Sequence, residues 1–161
     1  MGDKILIRLT DLPSHIENEV YFPLRVVYNT ATYDVRHAGF YKGSTDLLEL
    51  AIAGDPGVIK YILLTICHHY SISDSCFDYS SIVPSDDEVI LRLTDHNKCS
   101  VFHMDVYNNC AVIRLTKTGP SRYIKCGQVL FGIDGTNNIC LLIVTDLTDD
   151  NIRHTVNELE I

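Results

Sequence analysis

The residues whose types and spacing could do chemistry lie in the second half of the chain. In Ser100-Val101-Phe102-His103-Met104-Asp105-Val106-Tyr107, His103 and Asp105 stand two apart. On a strand that spacing puts both side chains on one face. With Cys110 close behind, the set offers a base, an orienting carboxylate and a thiol. That is the equipment of a small hydrolase or transferase working through a covalent intermediate. No Gly-x-Ser-x-Gly elbow is present, and no sharp glycine turn surrounds a cysteine, so no turn marks a nucleophile.

Cysteine and histidine also invite a metal reading. Cys67-His68-His69 with Cys76, and Cys99 with His103, are the two groupings. Zinc sites draw on two ligand pairs at short, regular spacing, which these do not supply. Gly127, Gly132 and Gly135 are followed by no helix whose N-terminus could hold a phosphate. Asp134 with Asn137 and Asn138 reads as a hairpin turn, since no acidic residue closes a calcium loop. Neither a metal nor a cofactor is expected.

Recognition is the chemistry that remains. Tyr28, Tyr33, Tyr79 and Tyr107 fall near expected loops and strand edges. Tyrosine brings contact area and one hydrogen bond at low entropic cost, which suits interfaces. The expected function is therefore a non-enzymatic module that binds or regulates another protein, for instance through an exposed sheet edge. The alternative is the hydrolase or transferase at His103, Asp105 and Cys110. A second copy of the chain is a further candidate partner.

Bulk properties narrow the partners. A chain of 161 residues is expected to form one globular domain, residues 1–161, with a sizeable core. Its net charge of -8 argues against a nucleic-acid backbone or an anionic membrane. Arg114, Lys117, Arg122 and Lys125 form the densest basic stretch and read as a solvated strand edge. No apolar run approaches the roughly 20 residues of a membrane span, and Lys60 interrupts the best one. Met1-Gly2-Asp3-Lys4 leads into no secretory signal, and Leu6 breaks the myristoylation pattern. An intracellular, cytoplasmic chain is expected, with its six cysteines free.

The positioning elements centre on Ser44 to Cys67. Ser44 or Thr45 can cap a first helix that Gly54 ends, and Asp55-Pro56 can start a second. Val58, Ile59, Ile62, Leu63, Leu64 and Ile66 leave that second helix apolar nearly all round, as a buried helix is. The stretch resembles one ankyrin repeat at Thr45, Leu47, Ala51, Gly54, Val58, Ile59 and Leu63, departing at Asp46, Leu48 and Leu50. The resemblance spans 19 residues with no second copy, and one such unit cannot bury its own face. It implies nothing beyond a pair of helices.

Around this hairpin the alternation predicts strands at Lys4 to Leu12, Val20 to Tyr28 and Thr30 to His37, the last two turning at Asn29. Residues 14–19 read as a loop or helical turn, and 71–87 as an ordered surface loop. Further strands are expected at Val89 to Asp95, Ser100 to Tyr107, Cys110 to Lys117, Tyr123 to Ile133 and Ile139 to Thr145. A last helix is capped by Thr148, with Ile152, Val156 and Leu159 as its stripe. The sum is an α+β fold: an antiparallel sheet of about seven strands packed on a central helical hairpin and a C-terminal helix. One echo stands out: ILIRLTD at 5–11 returns as VILRLTD at 89–95, and in part as VIRLTK at 112–117.

Overall fold

The computed structural model describes residues 4–28 and 34–161, and its core is built mainly from strands. Strand takes up 50% of the described residues and helix 7%, which overturns the α+β expectation. In chain order the first strands are β1 (Lys4–Leu9), β2 (Ser14–Ile16), β3 (Leu24–Tyr28), β4 (Val35–Lys42), β5 (Asp46–Gly54), β6 (Gly57–Ile66) and β7 (Tyr70–Ile72). There follow β8 (Val89–Thr94), β9 (His96–Lys98), β10 (His103–Val106), β11 (Ala111–Arg114), β12 (Arg122–Cys126), β13 (Val129–Ile133) and β14 (Ile139–Val144). The one helix among the described residues, α1 (Asp149–Leu159), comes last.

The expected central helical hairpin is a β-hairpin. β5 and β6 pair antiparallel from Leu47↔Ile66 to Gly54↔Gly57, turning through Asp55 and a cis Pro56. Gly54 does take the left-handed conformation, at φ 96°, but it serves a strand turn and not a helix end. The misleading signal has a physical cause. The register shifts between Ala51 and Ile52, where Ala51 faces Tyr61 while Ile52 faces Ile59, so Lys60 is left as the extra residue of a bulge. Ile59 and Ile62 consequently both point inward at a spacing of three, imitating a helical stripe. Leu48, Leu50 and Ile52 on β5 keep the plain alternation of a strand.

Eight strands form one mixed sheet. Its path runs β2-β3-β6-β5-β4-β9, and β1 joins β6 in parallel and β8 antiparallel. Only Asp95 separates β8 from β9, so one segment pairs with β1 on its first half and with β4 on its second. The path β1–β6–β5–β4–β9, continued along the chain through Asp95 into β8, thus returns to β1. β2 stands where a loop or helical turn is expected from sequence, β9 lies between two expected strands, and Ala38 and Gly39 lie inside β4. The Asn29 turn and the start of the strand expected from Thr30 fall outside the described residues.

The other six strands make a second mixed sheet in the order β12-β13-β14-β11-β10-β7, with β7 and β10 parallel. Tyr123 to Ile133 is two strands, not one, because Gly127 at φ 60° turns β12 back as β13. All six residues of β14 are buried, as its unbroken apolar run predicts. The inner faces of both sheets share one core, from Ile7, Val26 and Ile62 to Met104, Ile113 and Phe131. α1 closes an end of that core with Leu159, and its Thr148–Asn151 capping box is complete. A smaller cluster, Cys110, Val112, Leu130, Cys140, Leu141 and Ile143, lies on the second sheet's outer face under Phe77, Tyr79 and Ile82. No helix among the described residues is long and apolar enough to cross a membrane.

Candidate functional site

The β5–β6 hairpin opens at the end opposite its turn, and there a buried carboxylate organises the surface. Asp46, the first residue of β5, is 1% exposed. Its Oδ1 accepts the His68 amide at 2.9 Å, and its Oδ2 accepts the Thr45 hydroxyl at 3.0 Å and meets His69 Nδ1 at 2.8 Å. Burial pushes this carboxyl up, but the His68, His69 and Thr45 bonds outweigh it and hold it below the usual aspartate range. The His68 ring is held in turn, its Nδ1 lying 2.8 Å from the Thr45 carbonyl. Asp46 therefore pins the chain leaving β6 to the chain entering β5.

Beside this knot lies a cleft of about 530 Å³ lined by Tyr41, Gly43, Ser44, Asp46, Leu47, Ile66 and His96. The pairing Leu47↔Ile66 puts two apolar side chains across its floor, and Ile66 is 38% exposed. The His96 ring meets Tyr41 edge-on, with centroids 5.9 Å apart, because β9 runs parallel to the end of β4. Apolar walls with a few fixed polar groups are what a binding pocket of this size needs. The Asp46 oxygens are sealed beneath the surface and already partnered, so this carboxylate holds the cleft's shape and is not presented to a ligand.

The catalytic candidates sit elsewhere. His103 and Asp105 do share the outer face of β10, with Nε2 and Oδ1 3.1 Å apart. Ser71 Oγ, from neighbouring β7, lies 3.2 Å from that same Nε2. A nucleophile relay uses the two ring nitrogens separately, one toward the carboxylate and one toward the nucleophile. Here both partners crowd one nitrogen, and Arg114 Nε stands 4.0 Å from the other Asp105 oxygen, which makes a surface charge ladder. Cys110 is fully buried in the outer-face cluster, and burial pushes its thiol up to about 12. A buried thiol in that state is a poor nucleophile at neutral pH.

The four tyrosines have separate fates. Tyr28 is 3% exposed and lies in the core. Tyr79 donates its hydroxyl to Asp146 Oδ1 at 2.7 Å, and Tyr107 packs on Phe77 with centroids 5.3 Å apart, both over the outer-face cluster. Tyr33 lies outside the described residues. Among the described residues no three His, Cys, Asp or Glu side chains gather as a metal site requires. Asp46, Tyr41, Leu47, Ile66 and His96 are residues that sequence reasoning missed. The Thr45-Asp46 pair and the two histidines are visible in sequence, but the bonds between residues 46, 68 and 69 depend on the register of the β5–β6 hairpin.

The chain matches no known protein-family model and no curated protein.

Proposed function

We propose that the chain is a non-enzymatic protein-binding module whose cleft beside Asp46 takes an apolar or aromatic side chain of a partner protein. One observation carries this reading. The cleft pairs half-open apolar walls, Leu47 and Ile66, with the two rings of Tyr41 and His96, and its carboxylate is spent on holding the walls in place. Aromatic and apolar anchors in a rigid pocket are where protein interfaces concentrate their binding energy. A rigid floor also spares the partner the cost of ordering it.

Calorimetry with N-acetyl-Val-Tyr-amide as a minimal anchor tests the reading. Saturable heat with the native chain, lost in Ile66→Glu, is the expected result. Ile66 is already partly exposed, so the substitution leaves the fold intact, and an unchanged melting curve verifies this. Equal heats from both chains, or none from either, would overturn the proposal.

A further inference from the structure

The chain has a net charge of -8, yet a second cavity is lined by basic side chains and by no carboxylate. It holds about 400 Å³ at the seam between the sheets, where β8 and β9 meet the residues after β11 and the start of β14. Its floor is apolar: Phe40, Leu93, Leu115 and Ile139 are all buried. Its rim carries Arg92, His96 and Lys98, all exposed.

The backbone holds these three groups in place. Leu91 and Leu93 of β8 point into the core, which turns Arg92 outward. His96 and Lys98 stand two apart on β9 and share a face. Between them the Asn97 carboxamide is fully spent on the scaffold. Its Oδ1 accepts the Thr94 amide at 3.1 Å, and its Nδ2 donates to the Thr94 carbonyl at 2.7 Å and to the Gly39 carbonyl at 3.1 Å.

The charges at the rim are largely unspent. Neither Arg92 nor Lys98 joins an ion pair among the described residues. His96 has Asp95 Oδ2 at 4.0 Å from its Nε2. The basic stretch read from sequence as a solvated strand edge adds to the same place. Arg114 and Lys125 are paired with Asp105 and Asp11, but Lys117 follows the lining residue Thr116. Arg122 donates to Asn137 at 3.1 Å, one residue before the lining residue Asn138. Cations gathered over a low-dielectric floor focus a positive potential. A guanidinium grips two oxygens of a phosphate, and an ammonium serves as a point charge beside it.

We infer that this cavity binds a small phosphate monoester, its phosphate held by Arg92 and Lys98 and its apolar or aromatic body set against Phe40, Leu93 and Leu115. Two fixed cations suit a head that carries close to two negative charges at neutral pH. The volume suits a small organic ligand. The site is separate from the cleft beside Asp46, with which it shares only His96.

Amide chemical-shift titration of the whole chain with phenyl phosphate tests the inference. The expected shifts saturate and gather at Arg92, Leu93, His96, Lys98 and Thr116, and binding weakens as salt screens the cations. Arg92→Gln and Lys98→Gln each weaken the affinity about tenfold, the size of one lost hydrogen bond to a charged group. Both side chains are exposed, and unchanged melting curves verify that the variants are folded. Inorganic phosphate, which lacks the apolar body, binds about tenfold more weakly than the ester, and phenol does not bind. Ile66→Glu, which disables the other cleft, leaves phenyl phosphate binding unchanged, so the two sites fail separately. No saturable shifts, or equal affinity in the native chain and both variants, would overturn the inference. Inorganic phosphate binding as tightly as the ester, or phenol giving the same shifts, would overturn it as well.

Discussion

Tyr28 donates its hydroxyl to the Cys126 carbonyl at 2.6 Å, a buried bond that joins β3 of one sheet to the end of β12 in the other across 98 residues of sequence. Burial holds the phenol above its ordinary value, so it is a donor at neutral pH. Tyr28→Phe removes the donor and with it this bond between the two sheets. The expected loss is about 1–2 kcal/mol in urea unfolding, with unchanged far-ultraviolet circular dichroism.

Asp46 ties stability to pH. Its folded value lies below the ordinary 3.8, so the unfolded chain binds the proton more readily and stability rises with pH through that interval. The contribution is complete above the ordinary value and is lost as pH falls through the lower, folded one. Asp46→Asn is expected to cost about 2 kcal/mol at neutral pH, since bonds to a charged acceptor are replaced by weaker ones. The gap between the two chains should close in strong acid, as followed by urea midpoints at several pH values. A gap that widens as pH falls would show the opposite linkage.

The thiols divide by exposure. Burial pushes Cys67, Cys110 and Cys126 up to about 12 and Cys99 up to about 11, and Cys140 is also raised. Cys76 is exposed. Mass spectrometry of the folded chain after brief alkylation at neutral pH is expected to find one adduct, on Cys76, with the other five appearing on unfolding. Labelling of Cys110 ahead of Cys76 would revive the covalent chemistry first suggested by His103 and Asp105.

At the β5–β6 turn, Gly57 faces Ile7 of β1, and a Cβ there would collide with Ile52 Cγ2 and approach the Gly54 carbonyl to 2.8 Å. Gly57→Ala is expected to destabilise by about 1–3 kcal/mol, the usual cost of overpacking. Gly43→Ala, which meets nothing within 4 Å but sits at φ 59°, pays only the smaller backbone penalty. Thermal midpoints in that order check the packing of the hairpin.

What the sequence made legible follows from how local each signal is. The C-terminal helix is self-contained: Thr148 caps it, Asn151 answers, and Leu159 completes the stripe. β14 declares itself by six apolar residues in a row. The echo of ILIRLTD in VILRLTD also has a structural counterpart, since β1 and β8 pair with each other, Ile5 to Leu93 and Ile7 to Leu91. Two neighbours in one sheet face the same core and ask for the same alternation. β5 and β6 were illegible for a non-local reason. The bulge at Lys60 resets the period, and Gly-Asp-Pro-Gly serves a helix break or a strand turn equally well until the partner strand is known. The cleft was hidden with them, because Leu47 and Ile66, or Asp46 and His69, become neighbours only across that hairpin.

The most direct test of the cleft is amide chemical-shift mapping of the labelled chain during titration with N-acetyl-Val-Tyr-amide. The expected shifts gather at Tyr41, Gly43, Leu47, Ile66 and His96, saturate together and vanish in Ile66→Glu. Shifts centred on His103, Asp105 and Arg114, on the Phe77–Tyr107 cover, or on no shared site would contradict the account.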